Sequence, residues 1–198
     1  MTTTGITAPN SSPTAEPAYG RSLRSLYAVR FFFAIVWVGI VFAGYADATE
    51  PSAALTALLV IYPIFDAGAV LWQLRADPDQ QRSRAAEWAN VVASLAVAVA
   101  LGVSSASSIS AALAVWGGWA IVAGVPQLIV AIRNRRNGGQ VAQMLSGGIS
   151  VLAGLGFLAQ GVQGDGKISG AAGYAALGAV FFLVSAIRLS TMSKRQQA

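Results

Sequence analysis

Two apolar runs decide the fold: FFFAIVWVGIVFAG at residues 31–44 and AALTALLVIYPIFDAGAVLWQL at residues 53–74. A short loop containing Pro51 separates them. The second run, and the first with its flanks, reach the roughly 20 apolar residues that an α-helix needs to cross a bilayer. Their apolar residues are continuous and do not alternate with polar ones, which argues against a lipid-facing β-barrel. The pair therefore predicts a hairpin of two transmembrane helices.

The same hairpin is predicted to occur three times. The tetrapeptide SAAL at residues 52–55 returns at 110–113, and AIR at 131–133 returns at 186–188. Each copy has two spans, so all copies enter from the same side. The prediction is an all-α membrane protein with six transmembrane helices, arranged as three two-helix repeats in a pseudo-threefold bundle. The predicted boundaries are a disordered tail at 1–22, a membrane domain at 23–190 with repeats at 25–76, 84–134 and 140–189, and a short tail at 191–198.

Composition agrees with a membrane location and excludes much chemistry. Hydrophobic residues make up 55% of the chain and charged residues 11%, against about 25% charged in soluble domains. The chain contains no Cys and no His, so thiolate nucleophiles, imidazole bases and His-based metal sites are excluded. No pair of carboxylates stands at a spacing that suggests hydrolysis. We therefore predict a protein without catalytic residues, cofactor or metal.

The basic residues predict the orientation. Of the 13 Lys and Arg residues, all but Lys167 fall at the ends of the spans that share a side with the amino terminus. This asymmetry predicts cytoplasmic termini and a location in the bacterial cytoplasmic membrane. The same residues favour anionic lipid headgroups by about 1 kcal/mol each near the surface. They are scattered over short loops, so nucleic-acid binding is not expected.

Asp66 is the one acidic residue deep inside an apolar span. At about 1.5 Å per residue it lies roughly 13 Å from the inner boundary, where a charge costs at least about 2.5–3.5 kcal/mol. Arg30 in the preceding span and Tyr62 one turn before Asp66 complete a candidate intramembrane polar site. Pro63 is expected to kink the helix. Three interpretations stay open: a structural ion pair with Arg30, a protonatable or ligand-binding site, or a protonated carboxyl without a role.

Small residues predict a close helix contact near the fifth span. Ser146, Ser150 and Gly154 lie four residues apart, on one face, and Gly124 belongs to a similar pair in the fourth span. Small residues at this spacing let helix backbones approach closely within lipid. The face can serve packing within the chain or a homo-oligomer seam.

A family pattern of short two-span units is carried by residues 51–55, 66–68, Trp88, 110–113, 123–124, Gln127, 144–154 and 186–188. Over residues 24–190 this pattern resembles the HdeD-like membrane proteins. The resemblance implies a small inner-membrane protein, in some cases linked to acid resistance, without an established catalytic site. The long Ser/Thr/Pro tail and the missing outer Pro in the second and third copies depart from the pattern.

These observations support a leading hypothesis and two alternatives. The leading hypothesis is a non-enzymatic integral membrane protein with a role in acid or envelope stress. The alternatives are a small transporter or channel that uses Asp66, and an accessory subunit or homo-oligomer that packs through its glycine-rich faces. A cavity lined by Asp66 that reaches either surface would favour transport. A dry bundle with exposed small-residue grooves would favour assembly.

Overall fold

Six long helices make up the protein over the residues that the computed structural model describes, which are 15–76, 84–133, 135 and 140–196. Each is long and apolar enough to cross a membrane. The prediction of an all-helical chain with six helices able to span a membrane is therefore confirmed over these residues. The helices are α1 (Ala15–Gly44), α2 (Ala53–Ala76), α3 (Ala85–Ser107), α4 (Ile109–Arg133), α5 (Gln140–Gln163) and α6 (Ile168–Gln196).

The two terminal helices extend beyond the predicted membrane domain. Helix α1 begins at Ala15, so residues 15–22, placed in the predicted disordered tail, are helical. Helix α6 continues to Gln196, through most of the predicted tail at 191–198. Extending an existing helix adds one hydrogen bond per residue fixed, so a long span readily propagates into a polar flank. Pro17 is tolerated because it lies in the first turn, where backbone N–H groups have no helical partner. The rest of the predicted tail, residues 1–14, lies outside the described residues.

The helices form a closed ring. Each packs against its neighbours in the chain, and α6 packs against α1. The most extensive contacts join α4 with α5, α6 with α1, and α2 with α3, which are pairs that belong to different predicted hairpins. The two helices within each predicted hairpin share fewer contacts, and the contact between α5 and α6 is the smallest of these. We call the end with the chain termini the inner end, and the end with the loops after α1, α3 and α5 the outer end.

Serine side chains set the starts of two helices at the outer end. The Ser52 hydroxyl accepts from the Leu55 N–H at 3.2 Å, and the Ser108 hydroxyl accepts from the Ala111 N–H at 3.0 Å. Both are N-caps, in which a side-chain oxygen satisfies a free helical donor. Ser110, the counterpart of Ser52 in the SAAL repeat, instead accepts from the Gly166 N–H in the loop before α6. The two SAAL copies therefore differ in structural role.

The buried core fills the outer half of the ring. Trp37 of α1 stacks on Trp116 of α4, with ring centroids 5.4 Å apart. The Trp37 indole N–H donates to the Leu58 carbonyl oxygen at 2.6 Å. The next carbonyl along the helix, that of Leu59, has no helical donor, because Pro63 lacks an N–H. Helix α1 therefore packs on α2 at the turn where the proline interrupts the backbone hydrogen bonds. Other buried members of this core are Val41, Leu55, Leu101, Leu113 and Ile168.

Candidate functional site

Asp66 joins three helices in the inner half of the ring. One carboxylate oxygen, Oδ1, accepts from the Arg30 guanidinium of α1 at 3.0 Å. The other, Oδ2, accepts from the Ser94 hydroxyl of α3 at 3.0 Å. Both carboxylate oxygens thus have partners, and the two opposite charges offset each other in the membrane interior. We call Arg30, Asp66 and Ser94 the polar node.

The structure brings the predicted partners together and adds a third. Asp66 and Arg30 form an ion pair, which was one of the three interpretations left open, and Tyr62 lies beside them on the cavity wall described below. Ser94 was not among the predicted site residues. It stands four residues after Asn90, and its hydroxyl also lies 3.3 Å from the Asn90 side-chain oxygen. Two polar residues one turn apart in an apolar span were the signal in the sequence that could have found it.

Arg30 also contacts α6. Its guanidinium lies over the ring of Phe182, 5.4 Å from the centroid, which is a cation–π contact. The Tyr27 ring stacks on the same phenylalanine at 6.2 Å. One arginine therefore links α1 to α2 through charge and to α6 through an aromatic face.

A cavity of about 420 Å³ lies between the helices at the polar node. The side chains of Arg30 and Asp66 are only 13% and 22% exposed, and both line this cavity. Its polar lining also includes the side chains Asn90, Gln127, Gln143, Ser146 and Ser150. The cavity in the inner half is therefore bounded by all six helices and lined by both polar and apolar side chains.

The cavity is open at the inner end and closed at the outer end. Ala142 and Gln143, in the first turn of α5, line it and are exposed. Its opposite limit is Trp116, which belongs to the buried outer core. Tyr174 of α6 bridges to Ser150 of α5 through their hydroxyls at 2.8 Å. A polar molecule can thus approach from the inner face, whereas the packed aromatic core separates the cavity from the outer face.

Two buried donors on residues that line the cavity have no hydrogen-bond partner among the residues that the structure describes. They are the Arg30 Nε–H and the indole N–H of Trp116, a residue that is 1% exposed. Buried polar groups are nearly always hydrogen-bonded, and an unsatisfied one costs roughly 1–3 kcal/mol. The wall is therefore short of hydrogen-bond acceptors.

The predicted packing residues lie along the interface between α4 and α5. A Cβ added to Gly124 would lie 2.7 Å from the Ser150 Cβ, and one added to Gly154 would lie 2.6 Å from the Gly117 carbonyl oxygen. The two backbones are therefore in direct contact, as small residues permit in lipid. Ser146 lies on the cavity wall instead. We call the α4–α5 contact the glycine seam.

The described residues contain no group of three or more His, Cys, Asp or Glu side chains that could hold a metal ion. Comparison of the chain with protein-family models, with curated proteins and with solved structures returned no match. The resemblance to HdeD-like proteins therefore rests on the sequence pattern alone. Functional inference has to start from the cavity and its lining.

Proposed function

We propose that this chain is a non-enzymatic transporter of the bacterial cytoplasmic membrane that binds a small solute in the cavity beside Arg30 and Asp66. The observation that carries the proposal is the cavity itself, lined by Arg30 and Asp66 of the polar node and reaching the inner end of the bundle. Polar and ionisable groups inside membrane spans are costly and commonly mark substrate paths. A bundle that served only as a packing unit would have no need for such a space.

The open inner end and the packed outer end correspond to one state of a transporter. In this state the cavity exchanges with the inner face, and the Trp37–Trp116 stack blocks the outer face. Transport then requires the outer core to separate while the inner end closes. Because α5 and α6 share few contacts, the two helices of this hairpin can move relative to each other with the smallest loss of packing contacts in the ring.

Orientation and internal symmetry are parts of the same proposal. The arginine distribution supports cytoplasmic termini, so the cavity opens to the cytoplasm in this state. The alternation of extensive contacts, at α2–α3, α4–α5 and α6–α1, supports a pseudo-threefold arrangement of two-helix repeats. The arginines at the inner end also support association with anionic headgroups.

The resemblance to HdeD-like proteins supports a physiological setting in acid or envelope stress. Its test is survival at low pH of cells that lack the gene and carry either the wild-type chain or Asp66→Asn. Restored survival by both, with equal folding, would remove Asp66 from that role. The accessory-subunit and homo-oligomer alternatives have less support, because Gly124 and Gly154 are buried in the contact between α4 and α5 and do not face a second protein.

The proposal is tested by access to the cavity. The chain has no Cys, so a single cysteine can be placed without other changes. Ala123 lines the cavity, whereas its neighbour Val122 is 62% exposed and does not line it. We expect a water-soluble, membrane-impermeant methanethiosulfonate to label Ala123→Cys in inside-out vesicles and to leave Val122→Cys, which faces lipid, unlabelled.

Three outcomes decide the result. Labelling of Ala123→Cys from the inner side only supports both the cavity and its orientation. Labelling from the outer side only reverses the orientation. Absence of labelling from both sides, in a chain that purifies as a folded protein, contradicts a solvent-filled cavity and with it the transporter.

A further inference from the structure

The wall of the cavity is weakest between α5 and α6. Helix α5 is held to α4 along the glycine seam, and α6 is held to α1 through Phe182. The hydrogen bond and ring contact found between α5 and α6 among the described residues are Ser150–Tyr174 and Phe157–Tyr174. The hydrogen bond lies at Ser150, and the ring contact lies nearer the outer end of the bundle.

Inward of Ser150, the two helices face the cavity without such bridges. The α5 side is lined there by Ala142, Gln143 and Ser146, and the α6 side by Gly178 and Ser185. Most of these side chains are small. A Cβ added to Gly178 would meet nothing within 4 Å, so the space beside this glycine is open. The inner half of the α5–α6 boundary is thus the place where an opening from the cavity toward the inner leaflet would form, and we call it the lateral passage.

The unsatisfied groups on the wall specify the polar part of a ligand. The Arg30 Nε–H and the Trp116 indole N–H are both donors, so both call for an acceptor. Each Asp66 oxygen already accepts one hydrogen bond, from Arg30 or from Ser94, and the Arg30 guanidinium offsets its charge. A carboxylate or phosphate oxygen is one acceptor that would satisfy these two donors.

The surroundings add charge and apolar surface. Exposed arginines at the inner end concentrate anions there, and they are Arg24, Arg75, Arg133, Arg135 and Arg188. Aromatic rings cover much of the cavity wall and suit an apolar body, and they include Tyr62, Trp116, Trp119, Tyr174 and Phe181. The arginines thus suit an acidic headgroup, and the aromatic rings suit the part of an apolar chain that lies inside the cavity.

We infer that the ligand is an anionic amphiphile that enters from the inner leaflet between α5 and α6. Its acidic head lies at Arg30 and Trp116, and its apolar chain extends through the lateral passage into lipid. This inference rests on the proposed function, since it names the class of molecule that the same cavity binds. An anionic aromatic solute from the cytoplasm would share the head chemistry, and the experiment separates the two sources.

The test uses the tryptophans of the cavity as reporters. Trp72 and Trp88 are exposed on the outside of the bundle, so both are first replaced by Phe. The full-length protein, purified in nanodiscs, is titrated with stearic acid carrying a nitroxide spin label on its chain. We expect saturable quenching of the remaining tryptophan fluorescence, reversed by unlabelled oleate. A trimethylammonium amphiphile with the same labelled chain should bind roughly tenfold more weakly or worse.

Two glycines on α6 provide a matched pair of variants. Gly178 lines the cavity, whereas Gly173 does not, and a Cβ added to either meets nothing within 4 Å. Gly178→Phe should fill the passage and weaken the saturable quenching by roughly tenfold or more. Gly173→Phe should leave the quenching unchanged. Equal effects of the two substitutions would overturn the lateral passage.

The remaining outcomes separate this inference from the function on which it rests. If Ala123→Cys is labelled from the inner side but stearate does not quench, the cavity stands and the amphiphile is wrong. If 2-naphthoate added from water binds and stearate does not, the ligand comes from the cytoplasm and the lateral route is wrong. Equal binding of the cationic probe overturns the anionic head. An unlabelled Ala123→Cys removes both proposals.

Discussion

The α4–α5 interface and the α1–α2 interface solve the same packing problem in opposite ways. In the glycine seam the backbones touch, and a Cβ on Gly117 would lie 2.6 Å from the Gly154 carbonyl oxygen. Between α1 and α2, side chains fill the gap, with the Phe33 and Phe65 rings stacked at 3.7 Å and the Arg30–Asp66 pair nearby. Direct backbone contact gives a sealed wall. Large side chains between two helices keep the backbones farther apart, which leaves room for polar groups and a cavity.

The largest expected effect comes from forcing a side chain into the sealed wall. A Cβ on Gly154 would meet backbone atoms of Gly117 and Ile121 at 2.6 and 3.0 Å, and backbone cannot move aside as a flexible side chain can. Gly154→Leu should therefore lower the free energy of unfolding by about 3 kcal/mol or more. The measurement is thermal or denaturant unfolding in mild detergent. Gly156→Leu is the control, because its Cβ meets nothing within 4 Å; similar losses for both would contradict the seam.

A smaller loss of unfolding free energy is expected when the Arg30–Asp66 ion pair between α1 and α2 is broken. Breaking a fully buried pair costs about 3–5 kcal/mol, but the cavity partly exposes both side chains, so about 2 kcal/mol is expected for Asp66→Asn or Arg30→Gln. The double variant should be more stable than the sum of the single losses predicts, since no unpaired charge remains. Unfolding measurements on all four chains give the coupling. Strictly additive losses would show that the two charges do not stabilise each other.

The smallest effect compares two stacked tryptophans. The Trp37 N–H donates to Leu58, whereas the Trp116 N–H has no partner within the described part of the chain. Trp37→Phe removes a hydrogen bond and should cost about 1 kcal/mol more in unfolding free energy than Trp116→Phe, which removes only an unsatisfied donor. Trp116→Phe should instead weaken binding of the spin-labelled stearate. If Trp116→Phe proves the more destabilising of the two, its N–H has a structural partner and is not free for a ligand.

The six spans could be predicted because lipid imposes a local requirement. A crossing helix needs a continuous apolar run of fixed length, and this can be read without knowing any other part of the chain. The Arg30–Asp66 pair followed from the same reasoning, since charges in lipid need partners. Ser94 did not, because α3 contains several serines and only the packed helices show which of them faces Asp66.

The sequence did not predict which helices lie next to each other or where the cavity lies. The face containing Ser150 and Gly154 predicted a close contact, but nothing in it showed that α4 would be the partner. The repeated SAAL tetrapeptide suggested equivalent helix starts, although Ser108 rather than Ser110 caps α4. The cavity arises from the difference between ring size and side-chain volume, to which all six helices contribute. No single segment encodes such a difference.

The contact of α6 with α1 has a consequence for biosynthesis. The ribosome makes α1 first and α6 last, yet these helices share one of the most extensive interfaces. During translation α1 can pair Arg30 with Asp66 as soon as α2 enters the bilayer, but its other flank stays uncovered until the chain is finished. A product truncated after α5 would therefore lack the Phe182 contact of Arg30 and leave this flank of α1 uncovered.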